Sequence, residues 1–99
     1  MSETGVHLVY STTASEEEAA GIARVVVEER LAACANIIPT IRSIYRWQNK
    51  VEDDHETLLF LKTQSDCVPA LISRIQTLHT YELPAVSYTH LTLPTKRIV

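Results

Sequence analysis

In the first third of the chain, the spacing of apolar residues changes from that of a β-strand to that of an α-helix. Residues 6–10 alternate between two sides of an extended backbone, which predicts a first β-strand. Ser15 followed by Glu18 then matches a capping box, and the glutamates at 16–18 place negative charge where the helix dipole favours it. A helix is therefore predicted over residues 16–32, with one stripe that must cover a sheet. The stripe comprises Ala19, Ala20, Ile22, Ala23, Val26, Val27, Arg30 and Leu31.

The middle of the chain predicts a β-hairpin centred near Asn49. Residues 34–38 are apolar and 41–48 are rich in β-branched and aromatic side chains, which predicts one long strand with a break at Pro39. The returning strand is predicted over residues 56–62, where a nearly continuous apolar run is typical of burial on both faces. The acidic residues 52–56 between them predict a solvated turn.

A second helix is predicted over residues 66–79, capped by Ser65 or Asp66 and tolerating Pro69 in its first turn. The apolar stripe of this helix indicates burial on one side. The segment after Pro84 is predicted to form a fourth strand. The order strand, helix, strand, strand, helix, strand is typical of an α+β sandwich of ferredoxin-like type. Both helices are then expected on one face of an antiparallel sheet.

Composition narrows the class of protein. The 99 residues suit one domain, and 45% hydrophobic with 21% charged residues is ordinary globular usage. A net charge of −3 with scattered basic residues argues against a nucleic-acid partner, and the two glycines belong to no phosphate-binding loop, so no nucleotide is expected. No apolar run is long enough to span a membrane, and no signal peptide is recognised, so a cytoplasmic protein with two free cysteines is expected.

Four segments resemble, in chain order, the successive motifs of the CutA divalent-cation tolerance family. They are residues 31–39 (LAACANIIP), 43–47 (SIYRW), 61–63 (LKT) and 79–84 (HTYELP). The resemblance runs from Val6 to Pro84. It implies a ferredoxin-like fold, a homotrimer in which long strands of neighbouring subunits pair, and a non-enzymatic link to tolerance of copper and other divalent ions.

The end of the chain departs from that family. A strand and a C-terminal helix normally follow the last motif, whereas residues 86–95 (VSYTHLTLPT) resemble a translated sequencing-library adapter. We therefore predict a single domain over residues 1–84 and a non-native tail over 85–99, with Ala85 at the junction. Because residues 87–93 alternate, we also predict that about 85–93 fills the vacant strand position beside the first strand and that Pro94 ends it.

Cys34 and His79 are the candidate metal ligands. A thiolate at Cys34 would be a soft ligand suited to Cu(I) or zinc, but its small apolar neighbours favour an ordinary buried cysteine. The resemblance places His79 in a copper-associated His-His-Pro-Tyr stretch, of which Leu78 and Thr80 replace the flanking residues. A second copper-associated position of the family corresponds to Ser11, which has no thiol.

Trp47, Lys62, Tyr81 and Glu82 form a candidate ligand-binding set. Near strand ends they can line a cleft between subunits, with Lys62 contacting an anion and Glu82 accepting a hydrogen bond. The alternative for Trp47 is packing in the subunit interface. No catalytic arrangement follows from the order of residues, so an enzyme is not expected. The leading hypothesis is a trimeric divalent-metal tolerance protein, and the alternative is a small-ligand or anion sensor. An enzyme that uses the same cleft is a third hypothesis.

Overall fold

The computed structural model describes residues 5–80 and 86–90. They form six main elements, and a single turn of 3-10 helix at Ser65–Cys67 precedes the second α-helix. In chain order the elements are β1 (Val6–Thr13), α1 (Glu16–Glu28), β2 (Cys34–Trp47), β3 (Lys50–Gln64), α2 (Val68–Leu78) and β4 (Val86–His90).

The strands form one antiparallel sheet in the order β2-β3-β1-β4. This arrangement confirms the predicted ferredoxin-like topology, in which the first strand lies between the third and the fourth. β4 occupies the position predicted for it, with Ser11 opposite Val86 and His7 opposite His90. Residues 85 and 91–93 of that predicted strand lie outside the described residues.

One face of the sheet carries the core. Val9, Leu59 and Leu61 are fully buried on that face, and they form one cluster with side chains from both helices. Because period-two alternation puts these residues on the same side of the sheet, both helices cover the same face, as predicted. The helix residues of this cluster are Ala19, Ile22, Ala23 and Val26 of α1, and Leu71 and Ile75 of α2.

α1 is four residues shorter than predicted, because the chain leaves the helix through a left-handed residue that is not glycine. Arg30 has φ of 64°, its amide donates to Val27 O, and the amide of Leu31 donates to Val26 O. This pair of hydrogen bonds is a Schellman motif. It returns Leu31 to the core, so the apolar spacing continues after the helix has ended.

The start of α1 agrees with the sequence better than the start of α2. Ser15 Oγ accepts from the Glu18 amide at 3.1 Å, which confirms half of the predicted capping box. The predicted cap by Ser65 or Asp66 is wrong. Both lie in the 3-10 turn, and the N-cap of α2 is Cys67, which makes no side-chain capping bond.

The hairpin is longer than predicted. Gln48 and Asn49 both have positive φ, as a two-residue turn between twisted strands requires, so the predicted position of the turn is confirmed. The prediction of a solvated acidic turn at residues 52–56 is wrong, because these residues are strand and pair with Ile41–Tyr45. The register of β2 shifts between Ile38 and Ile41, at the break predicted around Pro39.

The hairpin extends well beyond the rest of the sheet. β1 ends opposite Thr57, whereas β3 begins seven residues earlier at Lys50. At about 3.4 Å per residue, roughly 24 Å of two-stranded ribbon has no third strand beside it. The charged residues of 52–56 are therefore accommodated as strand, because both sides of the ribbon are exposed along most of its length.

Candidate functional site

The sheet face opposite the helices is apolar, and no other described element packs over it. On this open face the rings of Tyr10 and Phe60 lie 5.9 Å apart, and Tyr10 and Ile38 are exposed. β3 was predicted to be buried on both faces, but it is buried on one face only. On the other face Leu58 and Phe60 are half-buried. The open face comprises Leu8, Tyr10, Ile38, Leu58 and Phe60.

The hairpin tip, residues 44–51, exposes apolar side chains on both of its faces. Ile44 and Val51 are 65% and 66% exposed on the face continuous with the core, and Trp47 is 50% exposed on the other. Monomeric proteins rarely leave contiguous apolar surface of this kind uncovered. The tip therefore has the composition of a surface that contacts another molecule.

Two polar contacts brace the ribbon below its tip. Arg42 makes a bidentate ion pair with Asp53 at 2.7 and 2.8 Å, which lowers the pKa of that carboxyl. Tyr45 Oη donates to Asp54 Oδ2 at 2.7 Å, and this bond, with the surrounding negative charge, raises the pKa of Tyr45 to about 12. Tyr45 is therefore neutral at physiological pH.

Cys34 lies on the same side of the sheet as the open face. It is directly opposite Lys62, which is exposed, while Cys34 itself is half-buried. Both Cys34 and Cys67 are free thiols, as predicted. Of the two candidate metal ligands, Cys34 is the one that a solute can approach.

His79 occupies a different environment, at the end of α2. Its side chain is fully buried, with Nε2 2.6 Å from Thr12 O and Nδ1 3.5 Å from Glu18 Oε2. A carbonyl oxygen only accepts, so Nε2 carries the hydrogen and donates it. Both ring nitrogens face protein oxygens, and a metal ion at His79 would have to displace one of these contacts.

Glu18 joins α1 to the residue that follows His79. Its Oε2 accepts from the amide and the hydroxyl of Thr80, both at 2.8 Å, and its Oε1 accepts from the Ala14 amide at 3.2 Å. Burial raises the pKa of Glu18, but these hydrogen bonds and the nearby His79 outweigh it and lower the pKa below its usual value. The capping box signalled only the local role of Glu18, because Thr80 is 62 residues away in sequence.

The candidate residues that the structure describes are not brought together within one subunit. Cys34 is level with Leu8 on the open side, whereas His79 contacts Thr12, about 14 Å further along β1. Trp47 and Lys62 are separated by about 40 Å of β3. Tyr81 and Glu82 lie outside the described residues. Among residues 5–80 and 86–90, no group of three or more His, Cys, Asp or Glu side chains is placed to hold a metal ion.

The fold and its exposed surfaces define a class: a small ferredoxin-like α+β protein with an uncovered apolar sheet face and a projecting hairpin. The profile of the family described as CutA1 divalent ion tolerance protein matches residues 7–96. This chain belongs to that family.

Relatives and solved structures agree with this assignment. Protein CutA of Mus musculus is 49% identical over 81 residues, which are 82% of this chain and 46% of that protein. The divalent-cation tolerance protein CutA of Thermus thermophilus is 49% identical over 80% of this chain and 77% of its own length. The crystal structure of CutA from Xylella fastidiosa superposes with a TM-score of 0.86 at 40% identity, covering 91% of this chain and 86% of that one.

The relatives differ from this chain in length and from one another in described location. This chain spans about half the length of the mammalian relatives that it matches. The family match continues through residues 85–96, and the foreign origin of that segment stays a prediction. No described helix is long and apolar enough to cross a membrane. Relatives are described as chloroplastic in Arabidopsis thaliana and periplasmic in Archaeoglobus fulgidus.

Proposed function

We propose that this chain acts in tolerance of divalent metal ions, as a non-enzymatic homotrimer in the cytoplasm. The observation that carries the proposal is membership in a family described by divalent ion tolerance. The two free thiols suit a reducing compartment such as the cytosol.

Self-association has independent physical support. The open face leaves Leu58 and Phe60 half-buried and Tyr10 exposed. β2 is an edge strand of 14 residues, and an edge of that length presents a row of unpaired backbone groups to other chains. Burying the open face and pairing this edge with another copy would remove both liabilities.

Light scattering after gel filtration tests the assembly. We expect the mass of three chains at micromolar concentration. Replacing Tyr10 by glutamate puts a charge in the apolar face and should raise the concentration at which the trimer dissociates by at least about tenfold. The matched control is Val27→Glu, a similarly exposed apolar position on α1, which should leave the mass unchanged. A wild-type mass of one chain would contradict the homotrimer.

Within one subunit, the described residues do not form a closed metal site. The described residues hold no cluster of three ligands, and both nitrogens of His79 face protein oxygens. We therefore place direct binding of copper or another divalent metal at Cys34 first and at His79 second. Binding at His79 would have to break its contacts to Thr12 or Glu18.

Titration with Cu(I) under anaerobic conditions tests these two ligands. We expect Cys34→Ser to weaken binding by at least about tenfold, because it removes the accessible soft ligand. Cys67→Ser is the matched control, since Cys67 is also a half-buried free thiol, and it should bind like the wild type. His79→Ala should have the smaller effect on affinity. Equal affinity in all four proteins would show that binding of Cu(I) does not depend on these residues.

We propose that Trp47, Lys62, Tyr81 and Glu82 form a ligand-binding cleft only between subunits of the assembly. Because Trp47 lies about 40 Å from Lys62, it would have to come from a neighbouring copy to share a cleft with it. Exposed Lys62 would then supply the positive charge for an anion.

A further inference from the structure

A β-bulge lies at the point where the hairpin leaves the rest of the sheet. The register shift between Ile38 and Ile41 adds one residue to β2, so residues 39 and 40 together oppose the single residue Thr57 of β3. Thr57 is also the last residue of β3 that pairs with β1. The extra residue of β2 is therefore placed where β1 ends and the two-stranded ribbon begins.

Pro39 and Thr57 both favour the bulge at this position. Proline has no backbone N–H to donate to a ladder, so within sheets it is confined to edge strands and bulges, and β2 is an edge strand. Thr57 is only 3% exposed, and its hydroxyl donates a hydrogen bond of 2.9 Å to the carbonyl oxygen of Pro39. The side chain of Thr57 thus binds the bulged residue that lies opposite it.

The extra residue decides which side chains the hairpin tip presents on each side of the sheet. Cys34 and Trp47 of β2 are an odd number of residues apart, so regular alternation would place them on opposite sides. Their partners on β3, Lys62 and Lys50, are an even number of residues apart and share a side. The bulge therefore brings Trp47 to the side of the sheet that carries Cys34 and Lys62.

The apolar pattern of the ribbon does not fix this choice of side. Register is weakly specified where both faces of a strand are exposed, as they are along most of the ribbon. The two polar contacts that brace the ribbon are also exposed, and exposed ion pairs contribute little. Without the bulge, Arg46 would pair with Lys50 in place of Val51, and a common three-residue turn would replace the two-residue turn.

We propose that Thr57 is a positioning residue for the candidate binding residues of the hairpin. Its bond to Pro39 holds the bulge, and the bulge keeps Trp47 on the side of the sheet that carries Cys34 and Lys62. The link to ligand binding rests on the cleft proposed above. The positioning of Trp47 within its own chain does not depend on that cleft.

Two engineered cysteine pairs in the full chain report the register of the ribbon. Residues 46 and 51 are directly opposite in the observed register, within the range of a disulfide, whereas residues 46 and 50 lie on opposite sides of the ribbon. Arg46→Cys/Val51→Cys therefore reports the observed register, and Arg46→Cys/Lys50→Cys reports the register without the bulge. Both pairs are introduced together with Cys34→Ser and Cys67→Ser, which remove the free thiols. The effective concentration of each pair is measured at equilibrium with glutathione.

Removing the Thr57 hydroxyl tests its role in these two proteins. We expect Thr57→Val to raise the effective concentration of the 46–50 pair relative to the 46–51 pair by about fivefold, the effect of one lost hydrogen bond. Thr57→Ser retains a hydroxyl and should restore the original ratio. Thr63→Val is the matched control, since Thr63 is also a buried threonine of β3 and its hydroxyl donates to Leu31 O at 2.6 Å. It should lower stability but leave the ratio unchanged, because Thr63 lies away from the bulge.

The outcomes separate this positioning role from the proposed function. An unchanged ratio in Thr57→Val, or an equal change in Thr63→Val, would overturn the role of Thr57 and leave the homotrimer and metal tolerance unaffected. A changed ratio in a protein whose wild type has the mass of one chain would support the role of Thr57 and overturn the shared cleft alone. Thr57→Ala provides the same comparison if Thr57→Val fails to fold.

Discussion

Replacing Glu18 by alanine is expected to lower the free energy of unfolding by about 3 kcal/mol, the loss of two or more hydrogen bonds to a charged acceptor. Only 12% of the Glu18 side chain is exposed, and three donors from Ala14 and Thr80 end on its two oxygens. Glu17→Ala is the matched control. It loses only a favourable position near the helix dipole, worth about 0.5 kcal/mol. Urea unfolding of the two variants measures the difference.

The same contact predicts how acid affects the protein. The folded state lowers the pKa of Glu18 from its usual 4.5. Its contribution to stability is therefore complete above about pH 4.5 and is lost as the pH falls through the lowered native pKa. The Glu18→Ala protein should lose less stability than the wild type over that acid range. Parallel pH profiles, or equal losses for Glu17→Ala and Glu18→Ala, would contradict this role.

The cluster around Glu18 also accounts for the position of His79. The imidazole lies between the end of β1 and the start of α1, and Glu18 holds the next residue, Thr80. These contacts fix Thr80, the last described residue before the candidate residues Tyr81 and Glu82. His79 thereby has a structural role that its motif did not indicate, and a metal ion bound at the same nitrogens would have to displace these contacts.

The topology could be predicted from the sequence because the local patterns were consistent with it. The alternation around Val9 and the stripe of α1 each required one buried side, and the order of the elements along the chain matched the ferredoxin-like topology. The end of α1 could not be predicted, because Arg30 takes the left-handed position that glycine usually marks. The acidic strand at 52–56 was missed, because charge there indicates solvent exposure and not a turn.

The candidate site was less predictable than the fold. Family motifs identified Cys34, Trp47, Lys62 and His79, but a motif does not state which residues share a subunit. The paired strands separate Trp47 from Lys62 by about 40 Å, so any shared cleft depends on the assembly. Glu18 was found only in its capping role, since contact with Thr80 depends on the packing of α2 against α1.

Exchanging residues 85–99 for the C-terminal segment of the Thermus thermophilus relative is expected to raise the urea midpoint by about 1 M or more. β4 already pairs with five residues of β1, from His7 to Ser11, and Val86 packs against the core. Residues 86–90 therefore fill the strand position, whether their sequence is native or foreign. The gain should come from the C-terminal helix that the family resemblance implies, because a helix there would bury apolar surface on folding.

Two further variants separate the contribution of β4 to stability from that of the residues after it. Tyr88→Pro removes a backbone donor opposite Val9, so it should lower the midpoint if β4 stabilises the sheet. Deleting residues 91–99 should leave the midpoint unchanged if that part of a foreign tail contributes nothing. The exchanged chain should also show a larger m-value than the original, since more surface is exposed when it unfolds. Equal midpoints and equal m-values for the original and exchanged chains would show that residues 85–99 already act as a native C-terminus, and the prediction of a foreign tail would be wrong.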